Sequence, residues 1–220
     1  AGSSHLGIKE QLLADFERTL PRRLADEPSV ELPRRRTLGR LHRFVGALAR
    51  AETHASRAVE LAEALEDRAA CATALLLRAQ VRYDSGRQDA ALDDALAAQL
   101  LLTQIDDQGE PFANALEIEA SCRSRRGEQL LALQQAQRAL ALREAAGDAE
   151  AIARSQMQLA NLHGQVGRID EAMQHVRSAL DTFEALGPDH PDTLVALQHL
   201  GFLQQRNGDH AAAEQSLRET

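Results

Sequence analysis

The sequence predicts an all-α fold, a right-handed superhelical α-solenoid built from stacked antiparallel helix pairs. The main observation is a glycine that recurs every 40 or 41 residues, as Gly46, Gly86, Gly127, Gly167 and Gly208. Aromatic residues make up only 3% of the chain and tryptophan is absent, so the core is expected to consist of closely packed alanine and leucine. A unit of this length cannot bury its own apolar face, and it must therefore stack on its neighbours.

Small residues at fixed distances from each glycine indicate where the helices approach one another. Seven residues before the glycine stand Gly39, Ala79, Ala120, Ala160 and Gly201. Alanine stands five residues after it (Ala51, Ala91, Ala132, Ala172, Ala213) and, in the first four units, twelve residues after it (Ala58, Ala98, Ala139, Ala179). Larger side chains at these positions would push the helix axes apart, so we expect all of them to be buried.

The fourth unit shows how one repeat is expected to fold. Before Gly167, the residues Leu159, Leu162 and Val166 follow a helical spacing. Glycine tolerates the positive φ that ends a helix. The second helix then places apolar residues along one side, namely Ile169, Ala172, Met173, Val176, Ala179, Leu180 and Phe183. Each repeat is therefore predicted to be two antiparallel helices joined by a short turn.

These units divide the chain into an N-terminal segment and five repeats. Segment 1–31 contains an amphipathic helix over residues 6–20, either a cap or the remnant of an earlier repeat. The repeats are predicted at 32–71, 72–112, 113–152, 153–193 and 194–220, the last one truncated. Helix starts are indicated by Asp148 and by Asp189 and Asp192 around Pro191. Truncation is expected to expose an apolar edge around Leu200, Leu203 and Leu217, through which the chain could self-associate.

The repeat resembles the tetratricopeptide repeat, most clearly in LANLHGQVGRIDEAMQHVRSAL (159–180). The period is longer than the usual 34 residues, which is similar to the extended repeats of kinesin light chains, Leu-Gly-Asn-type polarity adaptors and bacterial peptide-sensing regulators. The segment DHPDTLVALQHLGFLQQRNGDHAAAEQSL (189–217) is close to the kinesin-light-chain form. HEAT and armadillo repeats have similar lengths, but the shared glycine and alanine positions favour the tetratricopeptide repeat.

One position departs from the family pattern. Four residues before the turn glycine, where the family usually has a tyrosine, stand His42, Arg82, Arg123, His163 and Gln204. Arg78 and Glu119 also replace an expected leucine. We expect long polar side chains here to reach solvent near the helix end, and Arg78 to pair with Glu119 across neighbouring repeats. A buried polar seam is the alternative.

Composition limits the function classes. The net charge is −8, and residues 51–220 hold fifteen basic against twenty-seven acidic residues, which argues against general nucleic-acid binding. Cys71 and Cys122 lack metal-ligand spacing and are expected to be buried free thiols. We predict no membrane span, cofactor or metal, and a cytoplasmic location, with a periplasmic one left open. Phosphate-loop, nucleophile-elbow and zinc-protease motifs are missing, so the chain is predicted not to be an enzyme.

A ligand is expected on the first helices of the repeats, along positions 13, 10, 6 and 3 residues before each glycine. The stripe includes Thr73, Leu76 and Asn114 among the residues that would line it. The predicted partner-binding residues are Arg36, Arg40, Arg43, Gln80, Tyr83, Glu117, Ser121, Arg154, Met157, Asn161, Gln198, Phe202 and Gln205. Amides can bond a peptide backbone as donor or acceptor, and the resemblance implies this role for Asn161. Arg36, Arg40 and Arg43 form a basic end for a carboxylate or acidic stretch.

Two functions fit this surface. The first is a scaffold module that binds a protein or peptide segment in the concave groove. The alternative is a sensory or oligomerisation domain that regulates a fused bacterial output domain, such as a diguanylate cyclase, a kinase or a transcription regulator.

Overall fold

The computed structural model describes residues 27–187 and 189–218, and within them the chain forms ten helices and no strand. The first helices of the repeats are α1 (Pro28–Phe44), α3 (Arg68–Asp84), α5 (Glu110–Arg125), α7 (Ala149–Gln165) and α9 (Pro191–Arg206). The second helices are α2 (Leu48–Ala64), α4 (Gln88–Gln104), α6 (Gln129–Ala146), α8 (Ile169–Leu186) and α10 (His210–Arg218). The predicted helix over 6–20 lies outside the described residues.

The chain divides into two compact units, Ala1–Cys122 and Arg123–Thr220. In the first unit α1 packs on α2, α2 on α3, and α3 on α4. In the second unit α6 packs on α7, α7 on α8, α8 on α9, and α9 on α10. Within α1 to α4 and within α6 to α10, successive helices therefore contact each other, as expected for a repeat array. The all-α fold of antiparallel helix pairs is confirmed.

A left-handed glycine ends the first helix of every repeat. The five recurring glycines have φ between +78° and +83°. The amide after each glycine donates to the carbonyl five residues back, as in the 2.8 Å bond from Ala47 N to His42 O. A Cβ built on Gly46 or Gly167 would meet no atom within 4 Å, so glycine is required for its torsion angles rather than for space.

The small-residue positions are buried, as predicted. Ala51, Ala91, Ala132 and Ala172 are 0% exposed. A Cβ on Gly39 would lie 2.9 Å from Leu77 Cδ2 and 3.5 Å from the carbonyl oxygen of Ala51. A methyl group would crowd only the end of the Leu77 side chain, and a larger side chain would also meet the Ala51 backbone, which explains why this repeat position holds glycine or alanine.

The polar side chain four residues before the glycine is buried in three of the five repeats, contrary to the expectation that these side chains reach solvent. His42, His163 and Gln204 are 0%, 5% and 7% exposed. Their partners lie twelve residues later, on the second helix. His42 stacks on His54 (5.3 Å between centroids), His163 on His175 (5.4 Å), and the Ser216 hydroxyl donates to Gln204 Oε1 (2.9 Å). The buried seam is therefore the correct alternative at these repeats.

In the second repeat the residue at this position, Arg82, is half-buried and belongs to an ion-pair cluster on the buried Asp94. Arg78 donates to both Asp94 oxygens (2.9 and 2.7 Å), and Arg82 Nη1 donates to Asp94 Oδ2 (2.7 Å). The predicted pair of Arg78 with Glu119 is wrong, because Arg78 is satisfied within its own helix pair. Glu119 accepts a 2.7 Å hydrogen bond from Gln99 Nε2. Hydrogen bonds to Asp94 raise the pKa of Arg78 above its usual value.

Burial of the histidines predicts weaker folding in acid. Burial lowers the pKa of His163 and His175 below the ordinary 6.5, and the charge of the facing ring adds to this for His163. Between pH 6.5 and the lower folded-state pKa, the unfolded chain binds more protons than the folded one. Stability is therefore full above about pH 6.5 and is lost as pH falls through the folded pKa.

Urea unfolding at pH 7.5, 6.5 and 5.5 measures this dependence. The double substitution His163→Tyr with His175→Phe should flatten the fall in midpoint, whereas His210→Gln, at an exposed position, should leave it unchanged. The pKa of His199 is also lowered by burial, so a residual slope is expected. Equal slopes in both variants would show that the stacked pair is not the source.

Other expectations have mixed outcomes. Asp148 caps α7 through a 3.1 Å bond from Ala151 N, as predicted. At α9 the capping side chain is His190 rather than Asp189 or Asp192, because His190 Nδ1 accepts from Asp192 N at 3.2 Å.

Cys71 and Cys122 are buried free thiols, as predicted. Across the described ranges, the helices are too short or too polar to cross a membrane.

The predicted apolar edge at the C-terminal end is wrong for two of its residues. Leu200 and Leu203 are 7% and 1% exposed and belong to the core that includes Phe183. The side chain of Leu217 lies outside the described part. Helix α10 packs on α9, which accounts for the burial of this surface. Self-association through this end stays a prediction, without Leu200 and Leu203 as its contact surface.

Candidate functional site

A pocket of about 240 Å³ opens on the first helices of the first unit. Its lining residues come from three successive repeats: Arg40 from α1, Thr73, Leu76, Leu77 and Gln80 from α3, and Glu110, Pro111 and Asn114 from α5. We call it the first-helix pocket. Arg40 and Gln80 occupy the same repeat position, as do Thr73 and Asn114. The repeat period thus places equivalent side chains next to one another along one wall.

Arg40 and Gln80 are the predicted partner-binding residues that line this pocket. Tyr83, on α3, and Glu117 and Ser121, on α5, are half-buried on the same helices. Three further lining residues, Leu77, Glu110 and Pro111, are not on the predicted stripe. Extending the stripe by one turn towards the start of α5 reaches Glu110 and Pro111. A proline near a helix start is the sequence feature that could have identified them.

The predicted basic end is smaller than expected. Arg43 is tied to the protein itself, because its Nε donates to Asp84 Oδ2 at 2.6 Å and its Nη1 to Gln80 Oε1 at 3.4 Å. Burial, and then the charge of Arg40, lower the pKa of the Arg36 guanidinium. Arg36 Nε is buried without a hydrogen-bond partner in the described structure. Two neighbouring guanidinium groups, Arg36 and Arg40, are therefore the cations best placed to attract an acidic group.

In the second unit the predicted residues lie on the surface of α7 and α9. Asn161 is exposed and accepts from Gln165 Nε2 at 3.3 Å. Met157 is partly buried against the core of this unit. Phe202 is 54% exposed, with the Arg206 guanidinium 5.8 Å from its ring centroid. Gln198 and Gln205 are exposed on the same helix.

Arg154 belongs to an ion-pair cluster rather than standing alone. Its guanidinium contacts Glu150 Oε1 at 2.7 Å and Asp192 Oδ2 at 3.0 Å. His190, Glu150 and Asp192 bring possible metal-ligand atoms within 4.8 Å of one another. However, His190 Nδ1 accepts the Asp192 amide, which leaves the proton of a neutral ring on Nε2, facing Glu150 at 4.0 Å. Arg154 pairs with both carboxylates, so the contacts of the cluster are those of an ion-pair network.

Comparison with known families agrees with this geometry. Residues 151–220 match the family profile of the tetratricopeptide repeat. The chain has a tetratricopeptide-repeat fold. The resemblance drawn from the repeated glycine and alanine positions is confirmed, and the helices of 16 to 18 residues in the first four pairs account for the long period. Comparison with curated proteins gives no match.

Solved tetratricopeptide-repeat structures share the fold at low sequence identity. A Rap protein in complex with competence and sporulation factor is 20% identical with a TM-score of 0.80, over 94% of this chain and 56% of that one. A kinesin-light-chain-like protein of Podosopora anserina is 16% identical with a TM-score of 0.68, over 88% and 94%. YrrB, described as having an unusual peptide-binding site, is 20% identical with a TM-score of 0.50, over 84% and 82%.

Proposed function

We propose that this tetratricopeptide-repeat chain is a scaffold that binds a peptide or an extended segment of a partner protein on its first helices. The observation that carries the proposal is the first-helix pocket, in which side chains from three repeats converge. Gln80 and Asn114 offer amide donors and acceptors, and Leu76 and Pro111 offer apolar contact. This combination suits an extended chain, whose backbone needs hydrogen bonds while its side chains need pockets.

Two of the similar structures support a role in binding. One was solved with competence and sporulation factor bound to a Rap protein, and YrrB has a peptide-binding site. We infer that this chain uses its repeats in the same general way. Arg36 and Arg40 favour a ligand with a carboxylate or acidic side chain near the first repeat.

The regulatory alternative stays a prediction. A catalytic or DNA-binding domain in the complete reading frame, together with a change in its activity on peptide binding, would favour a bacterial signalling role. The cytoplasmic location predicted from the sequence also stays a proposal. The binding proposal does not depend on either.

Substitutions in the pocket test the binding proposal. A displayed peptide library selected on the wild-type chain supplies the probe, and isothermal titration at two salt concentrations measures its affinity. Arg40→Glu should weaken binding about tenfold or more and reduce its salt dependence, because an attractive charge is replaced by a repulsive one. Asn114→Ala should cost about 1–3 kcal/mol with little salt effect, by leaving a ligand amide unpaired.

The matched control is Arg177→Glu, which makes the same charge change at an exposed position on α8, a second helix. Asn161→Ala reports whether the second unit takes part. If Arg40→Glu and Arg177→Glu weaken the selected peptide equally, or if neither pocket substitution changes its affinity, the first-helix pocket is not the binding surface.

A further inference from the structure

A second and larger concavity lies where one repeat passes to the next in the first unit. It has a volume of about 760 Å³ and shares no residue with the first-helix pocket. Its walls are the last turn of α2, the first turns of α3 and the end of α4. We call it the junction pocket. It is formed by the ends of helices rather than by the face on which the proposed peptide would lie.

The rim of the junction pocket is acidic. Glu63, Glu66 and Asp67 line it, against the single guanidinium of Arg68. Asp67 is used as the N-cap of α3, accepting from Ala70 N at 2.9 Å. Glu63 and Glu66 are exposed, and each can accept hydrogen bonds from a cation at the rim.

Two helix ends add to this negative potential. Helices α2 and α4 both finish at the pocket, and neither has a basic residue in its last turn. The C-terminal end of a helix carries partial negative charge on its terminal carbonyls, which cationic side chains normally stabilise. Amides of the following turns bond these carbonyls, as in Asp67 N to Ala62 O (3.1 Å) and Asp107 N to Leu102 O (2.9 Å), but neither helix supplies a positive charge at its end.

The interior of the pocket is apolar. Leu101 is half-buried, Ile105 is 36% exposed, and the buried Cys71 thiol lies among the lining residues. An acidic rim above an apolar floor suits a long cationic side chain whose aliphatic stem packs while its charged end meets carboxylates. Inorganic cations would gain nothing from Leu101 and Ile105.

We propose that the junction pocket binds a basic segment of a partner protein, in which an arginine or lysine stands next to a leucine-like side chain. This site is independent of the first-helix pocket and has the opposite charge preference. The chain would then hold two different segments, an acidic one on the first helices and a basic one at the repeat junction.

A defined peptide tests the proposal on the full chain. The probe is an acetylated and amidated decapeptide of alternating leucine and arginine, labelled for fluorescence anisotropy. Substituting Glu63→Gln together with Glu66→Gln should weaken its binding about tenfold, the effect of removing two exposed ion pairs. The control Glu144→Gln with Glu184→Gln makes the same charge change at exposed positions of the second unit and should change affinity less than twofold.

Cys71 supplies an independent readout at the pocket itself. Burial, and then the Glu63 carboxylate, raise the pKa of the Cys71 thiol, so maleimide labelling is run at mildly alkaline pH and followed by mass spectrometry. The probe should slow labelling of Cys71, while Cys122, which is 0% exposed, should be unaffected by it. A leucine–glutamate decapeptide and a serine–arginine decapeptide should both fail to protect Cys71.

Several results would overturn the proposal. Equal weakening by the two double substitutions would mean that the probe responds only to overall negative charge. Equal protection by the serine–arginine peptide would show that the apolar floor does not contribute to recognition. Binding that leaves Cys71 labelling unchanged would place the peptide elsewhere. Arg40→Glu identifies one such case, since it should strengthen a basic peptide held at the first-helix pocket and leave one held at the junction pocket unchanged.

Discussion

Replacing Asp94 by alanine is expected to lower the free energy of unfolding by about 3–5 kcal/mol. Asp94 is 4% exposed and accepts three hydrogen bonds from Arg78 and Arg82. Without it, Arg78 loses both of the hydrogen bonds that it makes in the described structure, whereas Arg82 keeps its 3.2 Å contact with Glu52. The large effect therefore comes from leaving a half-buried guanidinium without its anion.

Urea unfolding followed by circular dichroism measures this loss. The control is Asp93→Ala, one residue away and exposed, which should change stability by no more than about 0.5 kcal/mol. Adding Arg78→Leu to the Asp94→Ala chain should recover part of the loss, because an apolar side chain can replace a buried ion pair. If Asp93→Ala and Asp94→Ala were equally destabilising, the ion-pair cluster would not be a core element.

Phe183→Ala should cost about 3–5 kcal/mol by opening a cavity in the second unit. Phe183 is 0% exposed, stacks on the His190 ring at 4.9 Å, and belongs to the same core as Val176 and Leu203. The same substitution at Phe202, which is 54% exposed, should cost less than about 1 kcal/mol. Thermal and urea unfolding of the pair compare a core phenylalanine with a surface one, and similar losses would contradict the packing described here.

The fold follows from the sequence to a large extent. A turn glycine needs a positive φ wherever it occurs, so Gly46 and Gly167 mark helix ends without knowledge of the rest of the chain. The alanines five and twelve residues after the glycine can be recognised as helix-contact positions, because close helix contact excludes larger side chains. The Asp148 cap is equally local, since its carboxylate bonds an amide three residues ahead. These features depend on neighbours in sequence, and sequence determines them.

Tertiary packing decided the burial and the partners of the polar residues. Sequence shows that His42 and Arg82 share a repeat position, but not that this position faces the second helix twelve residues later. Only the packed pair provides a partner for each, an imidazole ring in one repeat and a carboxylate in the other. The same side chain is exposed or buried according to whether such a partner is present.

Binding surfaces depend on packing for the same reason. Helical spacing placed Arg40 and Gln80 on one stripe, and the structure brings them into one pocket. The structure also pairs Arg43 with Asp84, 41 residues away, so the charge of Arg43 is used within the chain. The junction pocket was not predicted, because it is made by three helix ends that no single periodicity connects. Sequence thus determined which faces exist, whereas the distances between separate helices decided which charges on them are neutralised and which are left for a partner.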